Sequence, residues 1–246
     1  MAGLYTAPFS RESLTSDAKL LLMDRSRIND ALTGLGLADN TYGVLLYGRP
    51  FDGYIEYSLG DFDNAVYGGD TKELMWGGRF AVNLFDRPKV GYKDYMGSYI
   101  GKGKRLSIGA NYERLGDITV EGKKFDLFAW GVDIFGNYNQ FTLQAEYDRF
   151  AKDYSTKGDV NGYGWYLQGG YLLPWKYKGT MFELASRYQL LEPDTAQSGD
   201  KQKWTTIGVN TYFHSHNLKL QTDYTFGDEE AGVDNDTFRV QVQLDF

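Results

Sequence analysis

Residues 237–246 read T-F-R-V-Q-V-Q-L-D-F, and this strict alternation limits the possible folds more than any other feature of the chain. Phe238, Val240, Val242, Leu244 and Phe246 share one side of an extended strand, and Thr237, Arg239, Gln241, Gln243 and Asp245 share the other. The same period recurs upstream. Leu218, Leu220, Thr222 and Tyr224 alternate with Lys219, Gln221 and Asp223. Phe182, Leu184, Ser186 and Tyr188 alternate with Glu183, Ala185 and Arg187. Leu106, Ile108, Ala110 and Tyr112 alternate with Ser107, Gly109, Asn111 and Glu113. Residues 207–213, 165–171, 141–147, 128–134, 74–83 and 55–59 repeat the pattern, and 41–49 and 2–8 repeat it more weakly. No helix-period segment is available to cover either face. The pattern predicts an all-β chain of about 12 antiparallel strands of about ten residues, the length a tilted strand needs to cross a bilayer.

The connections alternate as well. Residues 226–236, 191–203, 151–162, 116–124 and 60–72 are long or polar, whereas 213–217, 174–179, 136–140 and 50–53 are short. Long loops at one end and short turns at the other are the outer-membrane barrel arrangement, with both chain ends on the short-turn side. Residues 86–104 break the rule, being long where a short turn is expected. A soluble up-and-down barrel shares the alternation, so the aromatics decide. Trp76, Trp130, Tyr147, Trp165, Tyr171, Tyr188, Phe213, Tyr224 and Phe246 fall on the apolar face near strand ends, as aromatic girdles require. The expected fold is a transmembrane antiparallel β-barrel, one domain over residues 1–246. A mean hydropathy of −0.48 and the lack of an apolar run of about 18 residues exclude a helical span. The net charge of −7 argues against nucleic-acid binding, and the absence of cysteine excludes disulfides, thiolate metal sites and a catalytic thiol. Residues 1–8 carry no secretory leader pattern.

If the apolar face meets lipid, the polar face lines a lumen. Its basic candidates are Arg79, Arg105, Arg187, Lys219 and Arg239, with Arg49 at a less certain position. Its acidic candidates are Glu56, Glu113, Asp133, Glu146, Asp148, Glu183, Asp223 and Asp245. Acids outnumber bases, and a hydrated pore tolerates them where a closed core would not. The alternative is that these groups form inter-strand ion pairs that stiffen the wall. Residues 9–40 form the longest connection. Ser16 or Asp17 is positioned to cap a short helix, with Leu20, Leu21 and Met23 partly buried. A loop of this length with an apolar patch is expected to fold into the lumen, where Arg11, Glu12, Lys19, Asp24, Arg25 and Arg27 narrow the pore. A surface lid or an inter-subunit latch is the alternative.

At this loop the chain resembles the phosphate-selective porin O and P family of Gram-negative outer membranes. The matching elements are G-L-Y-T-A-P-F-S-R-E-S-L-T-S (residues 3–16), M-D-R-S (23–26), Y-G-V-L-L-Y-G (42–48), F-E-L-A-S-R-Y (182–188) and the terminal F-R-V-Q-V-Q-L-D-F. The resemblance implies a trimeric barrel of about 16 strands whose constriction loop follows the fifth. Here the loop follows the first recognisable strand, so four N-terminal strands are expected to be missing, or the barrel to be shortened to a self-closing twelve. The resemblance also implies anion, and specifically phosphate, transport. Arg25 in the loop motif and Arg187 in the strand motif are the positions that carry over. The acidic balance favours a general or weakly selective pore instead. Expected partners are outer-membrane lipid, lipopolysaccharide and small hydrophilic solutes or ions, with a homotrimer by resemblance and no cofactor.

Other chemistries find little support. A barrel resembling outer-membrane phospholipase A needs a Ser–His pair, but His214, Ser215 and His216 are adjacent on one turn, which does not make a triad. An omptin-like protease needs a His at the opposite rim, where none falls. G-S-Y-I-G-K-G (97–103) lacks phosphate-loop spacing, and the acidic 227–236 loop lacks EF-hand spacing. No reaction and no metal site are expected. The serious rival to a pore is a structural barrel in a larger assembly, with a closed lumen.

Overall fold

A computed structural model describes residues 2–38, 40–63, 70–71, 73–87, 95–156, 158–229 and 235–245. The strands are β1 (Ala2–Thr6), β2 (Asn40–Gly48), β3 (Ile55–Asp63), β4 (Asp70–Thr71), β5 (Met75–Phe85), β6 (Lys104–Val120), β7 (Lys123–Tyr138), β8 (Phe141–Tyr154), β9 (Val160–Tyr177), β10 (Thr180–Glu192), β11 (Gln202–His214), β12 (Leu218–Glu229) and β13 (Thr237–Leu244). All but β4 pair antiparallel in chain order as one sheet of twelve strands, and the two-residue β4 pairs with β6. The path ends at β1 and β13, and no pairing between those two edges exists among the described residues.

The sheet is polar inside and apolar outside, as the alternation requires. On β12 and β13, Lys219 is fully buried while Val242 is 68% exposed. Ile108, Trp130, Val132, Ile134, Leu143, Leu167, Leu184 and Ile207 form a continuous exposed apolar belt. Cross-strand aromatic pairs Trp76–Tyr112, Trp130–Tyr147 and Trp165–Tyr188, with ring centroids 5.1–5.6 Å apart, reinforce that surface. Asn111, Gln144, Gln168, Gln189 and Asn210 point inward, buried among partners. A water-soluble sheet buries the apolar face, so burial of the polar one identifies a surface made for hydrocarbon.

Three sequence expectations are corrected. Residues 116–124 are not a polar loop. β6 continues through a bulge between Leu115 and Ile118, and Ile118–Val120 pair with Lys123–Phe125 across a two-residue turn. Glu121 and Gly122, at φ 49° and 77°, give that turn the left-handed backbone a tight hairpin needs, and Lys178–Gly179 does the same between β9 and β10. The strands are consequently longer than expected, reaching 18 residues in β9.

The second correction concerns the loop helix. Only a 3₁₀ turn follows Ser16, over Asp17–Lys19, without a side-chain cap; the helix is α1 (Arg27–Gly34), capped by Ser26, whose Oγ accepts from the Asn29 N–H at 3.3 Å. Leu20 is extended and residues 21–24 bend, and the wall takes the main-chain carbonyls of Leu20 and Leu21. Asn210 Nδ2 donates to Leu21 O at 2.8 Å and Lys219 Nζ to Leu20 O at 3.3 Å. The third is Asp245, which lies exposed beyond β13 and does not face the interior.

Candidate functional site

Residues 9–38 fill the concave side of the sheet. Phe9, Ile28, Leu32 and Leu37 pack against Phe62, Met75, Leu115, Leu127, Phe150, Tyr166 and Trp204, an apolar cluster near the long-loop ends of the strands. Close approach depends on Gly164, where a Cβ would stand 2.8 Å from the Ile28 Cβ.

Glu12 is the hub of the loop. Its Oε1 accepts from Arg187 Nη1 at 2.9 Å, and its Oε2 accepts from the Ser26 N–H at 2.8 Å and the Ser26 hydroxyl at 2.5 Å. Arg187 Nη2 also donates to the carbonyls of Asp24 (2.8 Å) and Arg25 (3.1 Å). The two motif positions, Arg25 and Arg187, are thus brought together, but around main chain rather than facing open space. Arg25 staples the loop to itself, donating to Thr15 O at 2.6 Å and Glu12 O at 3.3 Å and pairing with Asp17. Asp24 pairs with Arg239, which also donates to Asp223 at 3.3 Å, and Asp223 in turn accepts from the Met23 N–H at 3.4 Å. Arg11 is buried with its guanidinium 4.3 Å from the Tyr95 ring centroid and 4.1 Å from that of Phe135. Its main-chain N–H reaches Glu146 Oε1 at 3.2 Å, while the Tyr166 hydroxyl donates to Oε2 at 2.8 Å. Arg27 lies half-exposed over Trp204, 3.9 Å from Asp30, and Lys19 is half-buried.

The wall arginines are mostly paired, and several wall carboxylates are instead held by neutral donors. Arg79 grips Asp133 through two bonds of 2.5 and 2.9 Å, both side chains being essentially without solvent. Arg49 donates to Glu56 at 2.9 Å. Arg105 bonds Asn137 at 3.2 Å and lies 3.8 Å over the Tyr99 ring. Glu183 accepts from Ser98 (2.7 Å), Asn210 (3.2 Å) and Tyr212 (2.5 Å). Glu113 accepts the Ala38 N–H at 3.2 Å, and Asp148 is buried beside Asn111 and Gly131. Arg79–Asp133, Arg49–Glu56 and Arg187–Glu12 form fixed pairs, while Glu113, Glu146 and Glu183 accept from loop groups. In so dry a setting each pair resists loss of one member more than it contributes net stability.

Two cavities lie between the loop and the edge strands. One, of about 370 Å³, is lined by Thr6, Asp17, Arg25, Asn29, Asp30, Thr33 and Asn40 among others. The second, about 490 Å³, shares Asp17, Arg25 and Asp30 and reaches Asp24, Gln241 and Gln243 on the β13 side. Burial raises the Asp30 carboxyl above the ordinary range, opposed by the neighbouring Arg27 charge.

Sequence reasoning missed Asp17 and Asp30 as cavity-facing groups, and it missed residues 95–100 as interior. Tyr95 and Ser98 are buried, and the anomalous length of 86–104 was the available signal. His216 is not catalytic in arrangement: its Nε2 is 2.9 Å from Ser98 O, its ring meets Tyr212 edge-on, and Ser215 sits in the turn itself. Burial pushes the His216 pKa down to about 4, so the ring is neutral at ordinary pH. Of Gly97–Gly103, residues 97–100 belong to the inward segment and 101–103 are exposed. In the acidic loop, 230–234 lie outside the described residues, and Asp236 accepts from Tyr224 at 2.9 Å and the Gly227 N–H at 3.2 Å.

Comparison with known proteins agrees with this geometry. The family model described as phosphate-selective porin O and P matches residues 1–246. An uncharacterized protein of Aquifex aeolicus (strain VF5) is 30% identical over 266 aligned residues, covering 99% of this chain and 63% of the relative. The chain thus spans under two thirds of the length of the curated relative it matches.

Proposed function

Because the chain belongs to the phosphate-selective porin O and P family, we propose that it forms the wall and constriction of an outer-membrane porin for passive diffusion of small hydrophilic solutes and ions. The observation that carries this reading is the inverted sheet: a polar concave face holding a polar loop, and an apolar convex belt matched to lipid. Residues 1–246 act in this proposal as one domain of barrel wall, with 9–40 as its constriction. Trimer formation and contact with lipopolysaccharide belong to the same proposal. Family membership favours a channel over an enzyme.

The passage runs along the free loop face, where the two cavities lie between the β1 and β13 sides. Asp17, Asp24, Arg25 and Asp30 line it; Arg25 and Asp17 neutralise each other, Asp24 pairs with Arg239, and among the described residues Asp30 has only Arg27, at 3.9 Å. Arg79, Arg187 and Arg49, which a phosphate ladder needs free, are each committed to a carboxylate. This supports a general or mildly cation-preferring pore over a phosphate-selective one. The dense interior packing is the observation that favours the second reading, a plugged structural barrel. Liposome swelling separates them: purified protein in proteoliposomes admits small neutral sugars at rates falling steeply with solute size if the pore reading holds. Barrels that insert correctly and admit no solute establish the plugged reading.

A further inference from the structure

Residues 95–100, between β5 and β6, lie inside against the constriction loop. Tyr95 and Thr15 form a parallel bridge, the Gly97 N–H donates to Lys19 O at 2.9 Å, and the Tyr95 ring covers the Arg11 guanidinium. The same few residues are tied to the wall. The Tyr95 hydroxyl donates to Glu56 on β3, the Ser98 hydroxyl donates to Glu183 on β10 at 2.7 Å, and the Ser98 carbonyl bonds the His216 ring at 2.9 Å. Ile100 seals the lower end against Leu172 and Tyr212.

We propose that residues 95–100 are a brace that fixes the position of the constriction loop, and so the bore, with Gly97 as the positioning residue on which it depends. The proposal deepens the porin reading and, for its effect on conduction, rests on it. Opposite the brace, loop residues 20–22 are held by side chains, from Asn210, Lys219 and Gln221. Side chains can follow a shifted loop by changing rotamer. The brace instead grips main chain with main chain, and its contact has no slack. A Cβ on Gly97 would lie 2.6 Å from Leu21 N and 3.1 Å from both Leu20 C and Lys19 O, all backbone atoms that cannot turn aside. Gly97 has no left-handed φ among the described residues, so the requirement for glycine there is one of space. Gly97→Ala therefore displaces either the brace or the loop while leaving every strand register untouched.

The test compares folded wild-type protein and Gly97→Ala in detergent by hydrogen exchange, and in planar bilayers by single-channel recording. Exchange across 9–38 is expected to quicken by about tenfold or more, the effect of an overpacked contact on a local opening equilibrium, with strand amides unchanged. The open-channel current is expected to become noisy and to change amplitude. A second variant guards against misfolding. The natural chain has no cysteine, so Thr15→Cys with Tyr95→Cys gives one disulfide across the bridge, and the current should be quiet when oxidised and noisy when reduced. Unchanged exchange over 9–38 in Gly97→Ala, or an open-channel current that is identical in the two redox states, overturns the brace. Faster loop exchange in a protein that passes no current in any form supports the brace and removes the pore reading instead.

Discussion

Arg187 and Glu12 carry the clearest residue-level consequence. Both side chains are at most 3% exposed, and each completes the other's hydrogen bonding. Arg187→Ala strands a buried carboxylate and is expected to cost about 3–5 kcal/mol of unfolding free energy. Arg187→Leu combined with Glu12→Leu should cost much less than the sum of the two single changes. Urea titrations of the detergent-folded protein, read as a double-mutant cycle, check this. His216 supplies a pH dependence. Its folded pKa near 4 lies below the unfolded value of about 6.5. The unfolded chain therefore binds the proton first, and this group's contribution is full above pH 6.5 and lost as pH falls towards 4. Lys19 and Lys219 face the ring and oppose its protonation, while Ser98 O and Ala18 O favour it. His216→Gln should flatten the stability slope in that window, as seen in thermal unfolding followed at several pH values.

At the scale of elements, strand faces were legible and the loop's internal structure was not. Alternation alone placed Lys219, Glu183 and Arg187 inside and Leu184 and Val242 outside, because a strand's period of two leaves no other choice. Helix position in the loop was misread for a physical reason. Ser16 and Asp17 look like a cap, but no helix continues through residues 20–22, because Asn210 and Lys219, nearly 200 positions away, donate to the carbonyls of Leu21 and Leu20. Ser26 caps the real helix and also bonds Glu12. Ser26→Ala should consequently destabilise α1 by more than the usual cap loss of about 1 kcal/mol, detectable as faster amide exchange over 27–34. The brace was equally illegible, since only the excess length of 86–104 marked it. Alternation carries no information about where an irregular segment goes.

The whole molecule is held between two solvents, lipid outside and a polar interior within. A charge introduced at the centre of the convex belt tests that arrangement. Val132→Arg, on the exposed side of β7, should lower stability by about 2–4 kcal/mol in lipid vesicles. Its neighbour Gly131 faces inward against Asp148. A protein whose belt were merely a soluble surface would accept Val132→Arg without loss. The interior also explains why family resemblance and charge balance point different ways. A phosphate pathway needs guanidinium groups free of carboxylates, and here Arg79, Arg187 and Arg239 are already engaged. The cavities are lined by Asp17, Asp24, Arg25 and Asp30, of which Asp17 is paired with Arg25 and Asp24 with Arg239.

The reversal potential of single channels under a salt gradient tests this account most directly. It predicts an open, stable current with a mild preference for cations that weakens in Asp30→Asn. A strong anion preference, abolished by replacing Arg25 and Arg187, would contradict it.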